Sequence, residues 1–512
     1  MFSRVNETAA RLRAFLGDPA RRPWLLAALA TVTRVASGLT ARIIHADSPR
    51  FLRMATLIGE GKFGEACRVP PFSHPLYPTL VAFGELFEKN QLVVAVAIAA
   101  VLGGLAAVPL FHLARAAWGE RVGTIAALLY AFLPDPVELH GHALPEGPFY
   151  FFFLTTMALA WSALEKKSWE RALLAGATAT CAWLSRAEGV YVLLLFLFAV
   201  ACRPNRFSVA ALGIFLVTAF VLAFPYLTFI RAETGKWGVS AIAHAKGVFG
   251  LITGETKATG YGVDPSVAPE DQPFSEYKYI ARYGKVLGPV FYILKTCAAD
   301  LFYVLAPFVI LGFVFLRTPE IRWGPASYLV VAGIGYSIPP CLAFVAGTPF
   351  SYRYILPAMV FFLPVAAVGL VKAAGWVRWR HALAVFLVVV FAAMTPRFLR
   401  PKNTGKIAIK QAGIALLQTR GPGVRILGTR REIEFYARGE FFELPLPPTT
   451  LEEIRRIVDS NRVEVVALFE PDLKNCPPGT KEYVEERFKF FGEYPLQPAK
   501  NAAPMRLYVR PR

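Results

Sequence analysis

Asp47 heads a polar stretch, HADSPRFLRMATLIGEGKFGEACRVPPFSHPLYP, residues 45 to 78, with Arg50 and Arg53 close behind it and a His74-Pro75-Leu76-Tyr77-Pro78 turn at its far end. A carboxylate that faces water serves as a general base when it lies within hydrogen-bond reach of the proton it removes. Arg50 follows three positions later, one turn on if the segment is helical, and a guanidinium forks onto phosphate oxygens. An acid beside a phosphate clamp suggests attack on a phosphate-activated substrate. The plain alternative is a solvated loop with ordinary charges.

Other polar residues stand at the ends of apolar runs. Glu146, in HALPEGP, is a second candidate catalytic carboxylate, or else an acid favoured in the first turn of a helix. Arg186 and Glu188, in SRAEG, either bind a phosphorylated substrate or pair with each other. Arg353, in SYRY, is a further phosphate contact or an interfacial anchor, with Tyr352 and Tyr354 as aromatic belt. His140 and His142, with Asp135 and Glu138, match no closed metal-ligand set, so no metal is assigned and a divalent cation is left open. Cys181, Cys202, Cys297 and Cys341 lie in apolar runs and read as small core residues. Cys67 and Cys476 fall on one expected side of the membrane, where a disulfide between them is compatible with the sequence.

These residues must be positioned by membrane-spanning helices. The 512 residues are 55% hydrophobic, with mean hydropathy +0.44, 41 Phe and only 18% charged side chains. Repeated runs of about 20 apolar residues, each able to cross a hydrocarbon core roughly 30 Å thick, define a polytopic α-helical membrane protein. Eleven spans are expected near 24–44, 91–112, 122–139, 147–164, 170–187, 189–202, 208–230, 289–316, 324–346, 353–371 and 381–396. The net charge of +19 then follows from topology and not from a nucleic-acid partner, because basic residues collect in cytoplasmic loops. Anionic membrane lipid is the remaining acidic partner.

Arg21 and Arg22, Arg115 and Arg121, Lys166 and Lys167, Arg203 and Arg206, Arg317 and Arg322, and Lys372 to Arg380 all fall on one face, which becomes the cytoplasmic one. The N-terminus, a basic lead with Arg11 and Arg13, is inside and the C-terminus outside. The opposite face receives the first loop, residues 45 to 90, and a long segment, 231 to 288, read as a lid. Within that segment Tyr277, Ile280, Tyr283 and Val286 recur at helical spacing, with Lys278, Arg282 and Lys285 between them, as in an interfacial helix. Strong charge is not apparent in the middle of any span.

Residues 1–396 thus form the membrane domain, and residues 397–512 a small soluble α/β domain on the outer face. Its expected elements are a helix over 404–419, strand 424–429, a helix opened by a Thr450/Glu453 capping box, strand 463–470, a helix over 480–491 and a last strand in RLYVR.

The order of these features resembles the GT-C membrane glycosyltransferases that use polyprenyl-phosphate sugars, in particular the bacterial branch of the protein mannosyltransferase and aminoarabinose transferase families. The likeness rests on DSPRFLRMA after the first span, the HPLYP turn, ALPEGPFYFFF, LSRAEGVYVLL, YRYILPAMVFFLPVAAVGL and the tail stretch EFYARGEFFELP. In those families the first-loop aspartate, matched by Asp47, is the catalytic base, and the arginine three residues on, matched by Arg50, meets the lipid phosphate. The aminoarabinose-transferase pattern has Glu-Lys-Pro-Pro where this chain has Ser73-His74-Pro75, which leaves His74 a weak phosphate contact. In mannosyltransferases a second acid follows the first, and here it is Ser48.

The resemblance implies a multi-pass protein of the inner membrane with a periplasmic active site. The implied reaction is inverting transfer of a hexosyl or pentosyl group from a polyprenyl-phosphate donor to a lipid, glycan or protein acceptor. Because the lipid phosphate is a stable leaving group, the need is electrostatic, met by Arg50, Arg186 or Arg353. A transporter or lipid flippase is the rival class, and it predicts mid-span charge and a repeat between halves. A non-catalytic scaffold predicts that Asp47 is dispensable.

Overall fold

The computed structural model describes residues 18–69, 74–235, 237–238, 275–316, 323–345, 351–377, 379, 381–444, 450–473, 476–495 and 503–511. The N-terminal lead with Arg11 and Arg13, most of the 231–288 segment, Ser73, and Arg317 and Arg322 lie outside the described residues. The chain groups into two compact units. One runs to Gly38 and continues through Met54–Gly141 and Pro145–Leu399; the other joins Leu39–Arg53, His142–Leu144 and Arg400–Arg512.

The first unit is helical. Among the described residues, Gln91–Trp118, Glu146–Lys166, Arg206–Thr234, Leu356–Trp376 and Ala382–Leu399 are long and apolar enough to cross a membrane. Glu120–Phe132 and Pro134–His140 would be a sixth span, bent by 59°. The bend follows from Pro134 and Pro136, which remove backbone donors just after Leu133 leaves the helix. Polar caps start other helices: Asn90, Ser168 and Asn205 accept from the backbone N–H groups of Val93, Arg171 and Ser208. A single apolar core then gathers Phe149, Phe153, Phe196, Phe215, Tyr328, Tyr336 and Phe361 from sequence-distant helices.

Several expectations are corrected here. The first span, expected to reach residue 44, is helical only over Arg22–Thr40; Ile43 and Ile44 are apolar for another reason, since Ile43 packs in the core of the second unit. The span over 289–316 is two helices, Ser275–Asp300 and Ala306–Val314, because Phe302 and Tyr303 both take positive φ, 55° and 51°. The interfacial stripe is in part a packing face: Tyr277 and Ile280 are buried in the bundle core, while Tyr283 is exposed. Buried charge does occur within the helices of the first unit. Arg34 is fully buried in the first helix, bonded to the Ala30 carbonyl at 2.7 Å and to His140 Nδ1 at 3.2 Å, and Asp300 is buried at its helix end. Hydropathy averaged over a whole run conceals one charge among apolar neighbours. Cys67 and Cys476 are free thiols, and Cys202 is exposed.

The second unit is built on a five-stranded sheet ordered β2-β1-β3-β5-β4, with β1 Arg425–Gly428, β2 Glu440–Glu443, β3 Val465–Phe469, β4 Lys489–Tyr494 and β5 Met505–Val509. β1 pairs in parallel with β2 and β3, whereas β5 runs antiparallel to β3 and β4. Alternate residues face opposite sides. Ile426, Val465, Ala467 and Leu507 pack under helices Ile407–Arg420 and Glu432–Ala437, and Leu427, Val466, Leu468 and Tyr508 under Leu451–Ser460 and Thr480–Arg487. The Thr450/Glu453 capping box forms as expected. The helix over 480–491 instead ends at Arg487, and Lys489–Tyr494 forms β4, because its aromatic residues reach a pairing partner in β5.

Candidate active site

Five of the seven residues singled out above gather in the first unit. Glu146 opens helix Glu146–Lys166 directly after Pro145, the N-cap residue, which makes no side-chain capping bond. The adjacent Gly147 lies against the carbonyl of Ala99, where a side chain would collide, and so lets this helix pack close to Gln91–Leu105. Arg186 leaves helix Trp169–Ser185 in an extended conformation, and the 3-10 turn Ala187–Val190 folds Glu188 back beside it. Arg353 sits in a second 3-10 turn, Tyr352–Tyr354, before helix Leu356–Trp376.

These elements converge on the Glu146 carboxylate, whose side chain is 2% exposed. Arg186 Nη1 donates to its Oε1 at 2.5 Å, and Arg353 Nε donates to the same oxygen at 2.8 Å, joined by Arg353 Nη2. Arg186 also donates from Nη2 to Glu188 Oε1 at 2.7 Å and from Nε to Glu188 Oε2 at 3.3 Å. Two carboxylates and two guanidiniums balance, which is what a buried ionic cluster requires, since an unpaired charge there would go uncompensated. Arg186 spends three of its five N–H groups on these acids, and among the described residues two remain for a further acceptor. Its guanidinium also lies 5.8 Å from the Phe149 ring and 6.0 Å from that of Tyr354.

His74 is buried against Trp183 and Tyr226, each ring centroid at 5.6 Å. Burial, with a smaller push from Arg186 against the pull of Glu188, brings its imidazole down to about 4. It is therefore neutral at pH 7 and supplies no counter-charge to a phosphate. Tyr150, one turn after Glu146, and Tyr336 are also buried near this cluster, with hydroxyls that find no hydrogen-bond partner among the described residues. The i+4 spacing from Glu146 is the signal for Tyr150; nothing in the sequence marks Tyr336.

Asp47 and Arg50 belong to the second unit. Asp47 precedes helix Ser48–Gly59, with a side chain about one-third exposed and Oδ1 at 3.9 Å from Arg50 Nη2. Arg50 lies in the first turn of that helix. The Asp47 N–H donates to His45 Nδ1 at 3.1 Å, and the His45 ring lies 5.8 Å from that of His142. Among the described residues, no group of three or more His, Cys, Asp or Glu is placed to hold a metal ion.

The chain is similar in structure to ArnT from Cupriavidus metallidurans in the apo state, with 13% identity and a TM-score of 0.63, covering 95% of this chain and 98% of that one. The same protein bound to undecaprenyl phosphate gives 12% identity and 0.62, over 94% and 97%. The apo oligosaccharyltransferase of Archaeoglobus fulgidus gives 12% identity and 0.56, over 96% of this chain and 75% of that one. The chain thus shares the fold of these proteins, a multi-pass helical membrane domain followed by a small sheet domain. Within it, residues 72–229 match the family model of dolichyl-phosphate-mannose-protein mannosyltransferases, a stretch that holds His74, Glu146, Arg186 and Glu188. No curated protein matches the chain by sequence.

Proposed function

We propose that this chain is an inverting glycosyltransferase of the inner membrane that moves a sugar from a polyprenyl-phosphate donor to a lipid, glycan or protein acceptor on the periplasmic face. The observation that carries the reading is the buried, charge-balanced cluster of Glu146, Arg186, Glu188 and Arg353, set in a fold shared with a protein whose structure holds undecaprenyl phosphate. Asp47 removes the proton of the acceptor hydroxyl. That oxygen bonds to the anomeric carbon from the face opposite the phosphate, the bond from carbon to phosphate oxygen breaks, and the lipid phosphate departs as an anion. The proton held by Asp47 returns to water. The charge that gathers on the leaving phosphate is stabilised by Arg50, by Arg186 or by Arg353. Glu146 serves by holding the two arginines in place, with its Oε1 committed to both, and moves no proton.

Mass spectrometry of envelope glycans, glycolipids and glycoproteins tests this in a strain lacking the protein, restored with the wild type or with Asp47→Asn. One sugar should vanish on deletion and return only with the wild type, at equal protein level. Full restoration by Asp47→Asn would refute the general-base assignment and favour the transporter and scaffold readings.

A further inference from the structure

Leu39–Arg53, which includes the start of the first loop, belongs to one unit with the C-terminal domain, and the domain grips the chain on both sides of Asp47. Upstream, Ile43 is 2% exposed in the apolar core that also holds Ala408, Ile433, Val465 and Leu507. The Ile44 N–H donates to the Tyr436 hydroxyl at 3.0 Å, and Ala41 pairs in parallel with Lys402. Downstream, Arg53 Nη1 lies 3.4 Å from Glu434 Oε1. Tyr436 and Glu434 both project from helix Glu432–Ala437. Between these anchors the turn is closed by the Ser48 N–H on the His45 carbonyl at 2.9 Å and by the Asp47 N–H on His45 Nδ1.

We infer that helix Glu432–Ala437 clamps the first loop and so sets the position of the Asp47 carboxylate, with Tyr436, Glu434 and Ile43 as positioning residues. The inference rests on the reading of Asp47 as general base. A base must lie about 2.6–3.2 Å from the atom whose proton it takes, and a displacement of about 1 Å costs on the order of a hundredfold in rate. A loop held only by its own turn has no such precision, because each free residue samples several backbone wells. Asp47 is three residues from Ile44, a reach of about 10 Å at most, so fixing Ile44 leaves the carboxylate little room to wander. Arg53 in that pair is half exposed, and the contact at 3.4 Å holds weakly. The buried Ile43 side chain and the Tyr436 hydroxyl carry the grip.

Hydrogen exchange of the full chain in lipid nanodiscs, read by mass spectrometry, tests the clamp with Tyr436→Phe, Ile43→Val and Ile43→Ala. Tyr436→Phe should speed exchange in peptide 41–50 about five- to tenfold, with the buried strand in peptide 463–470 unchanged. Ile43→Ala should loosen the loop more than Ile43→Val. In the complemented deletion strain the product should fall in the same order at equal protein level. Wild-type exchange in both Tyr436→Phe and Ile43→Ala, or faster exchange with full product, would overturn the clamp. If instead Asp47→Asn itself makes full product, it is the general-base reading that fails, while the exchange rates still decide whether the loop is held.

Discussion

Replacing Glu146 by Gln keeps the shape of the side chain and removes the one negative charge that Arg186 and Arg353 share. The four-residue cluster goes from neutral to a net charge of +1, at a site where the Glu146 side chain is 2% exposed and the two arginines 12% and 15%. Breaking a buried pair by removing one partner costs about 3–5 kcal/mol, because the remaining charge stays desolvated without compensation. The Glu146→Gln protein should therefore lose about 3–5 kcal/mol in a reversible denaturation titration of the purified chain in mixed micelles. Removing Arg353 as well, in Glu146→Gln with Arg353→Gln, restores neutrality, and the double variant should recover about 1–3 kcal/mol relative to the sum of the single losses. Transfer activity should fall in all three variants, since the arginines lose their fixed geometry or their charge. Stability within about 0.5 kcal/mol of wild type for Glu146→Gln, or strict additivity in the cycle, would refute the view that one carboxylate organises both guanidiniums.

Two further perturbations bear on the same unit. His74 titrates near 4 in the fold against 6.5 ordinarily, so the unfolded chain takes up its proton first; stability is full above about pH 6.5, falls by about 2 kcal/mol between pH 7 and 5, and is lost further toward pH 4. His74→Leu should flatten that slope in denaturation midpoints measured across the range, and an unchanged slope would exonerate His74. Gly147→Ala places a methyl group against the Ala99 carbonyl and should cost about 1–3 kcal/mol, with part of the transfer activity lost as Glu146 shifts; wild-type midpoints in the variant would show that the helices have slack.

The sequence announced the membrane class through its long apolar runs, and it announced Glu146, Arg186 and Arg353 because charges at the mouths of such runs stand out. The convergence of these three was not legible, since the segments carrying them are up to 207 positions apart and nothing local specifies which helix mouths meet. Arg34 escaped notice for the opposite reason: a single arginine in an apolar helix barely moves a hydropathy average, although its carbonyl and histidine partners lie within the fold. Thr450 and Glu453 were readable because a capping box is local. β2 is only four residues long, EFFE, too short for alternation to register. Ile43 and Ile44 misled most, for an isoleucine pair after a span extends that span in any window, and only a partner core more than 360 residues away gives it another purpose.

That last separation sets a timetable for biogenesis. Ile43 leaves the ribosome some 365 positions before Ala408, the first of the C-terminal residues with which it shares a core. At about 5–20 residues per second, synthesis of the intervening chain takes on the order of 20–70 s. Through that interval the first loop waits on its side of the bilayer with an apolar side chain uncovered and the Ile44 N–H without the tyrosine that later receives it. A later-made domain therefore completes an earlier-made segment, and a chain arrested before residue 400 ends its life with that loop unfinished.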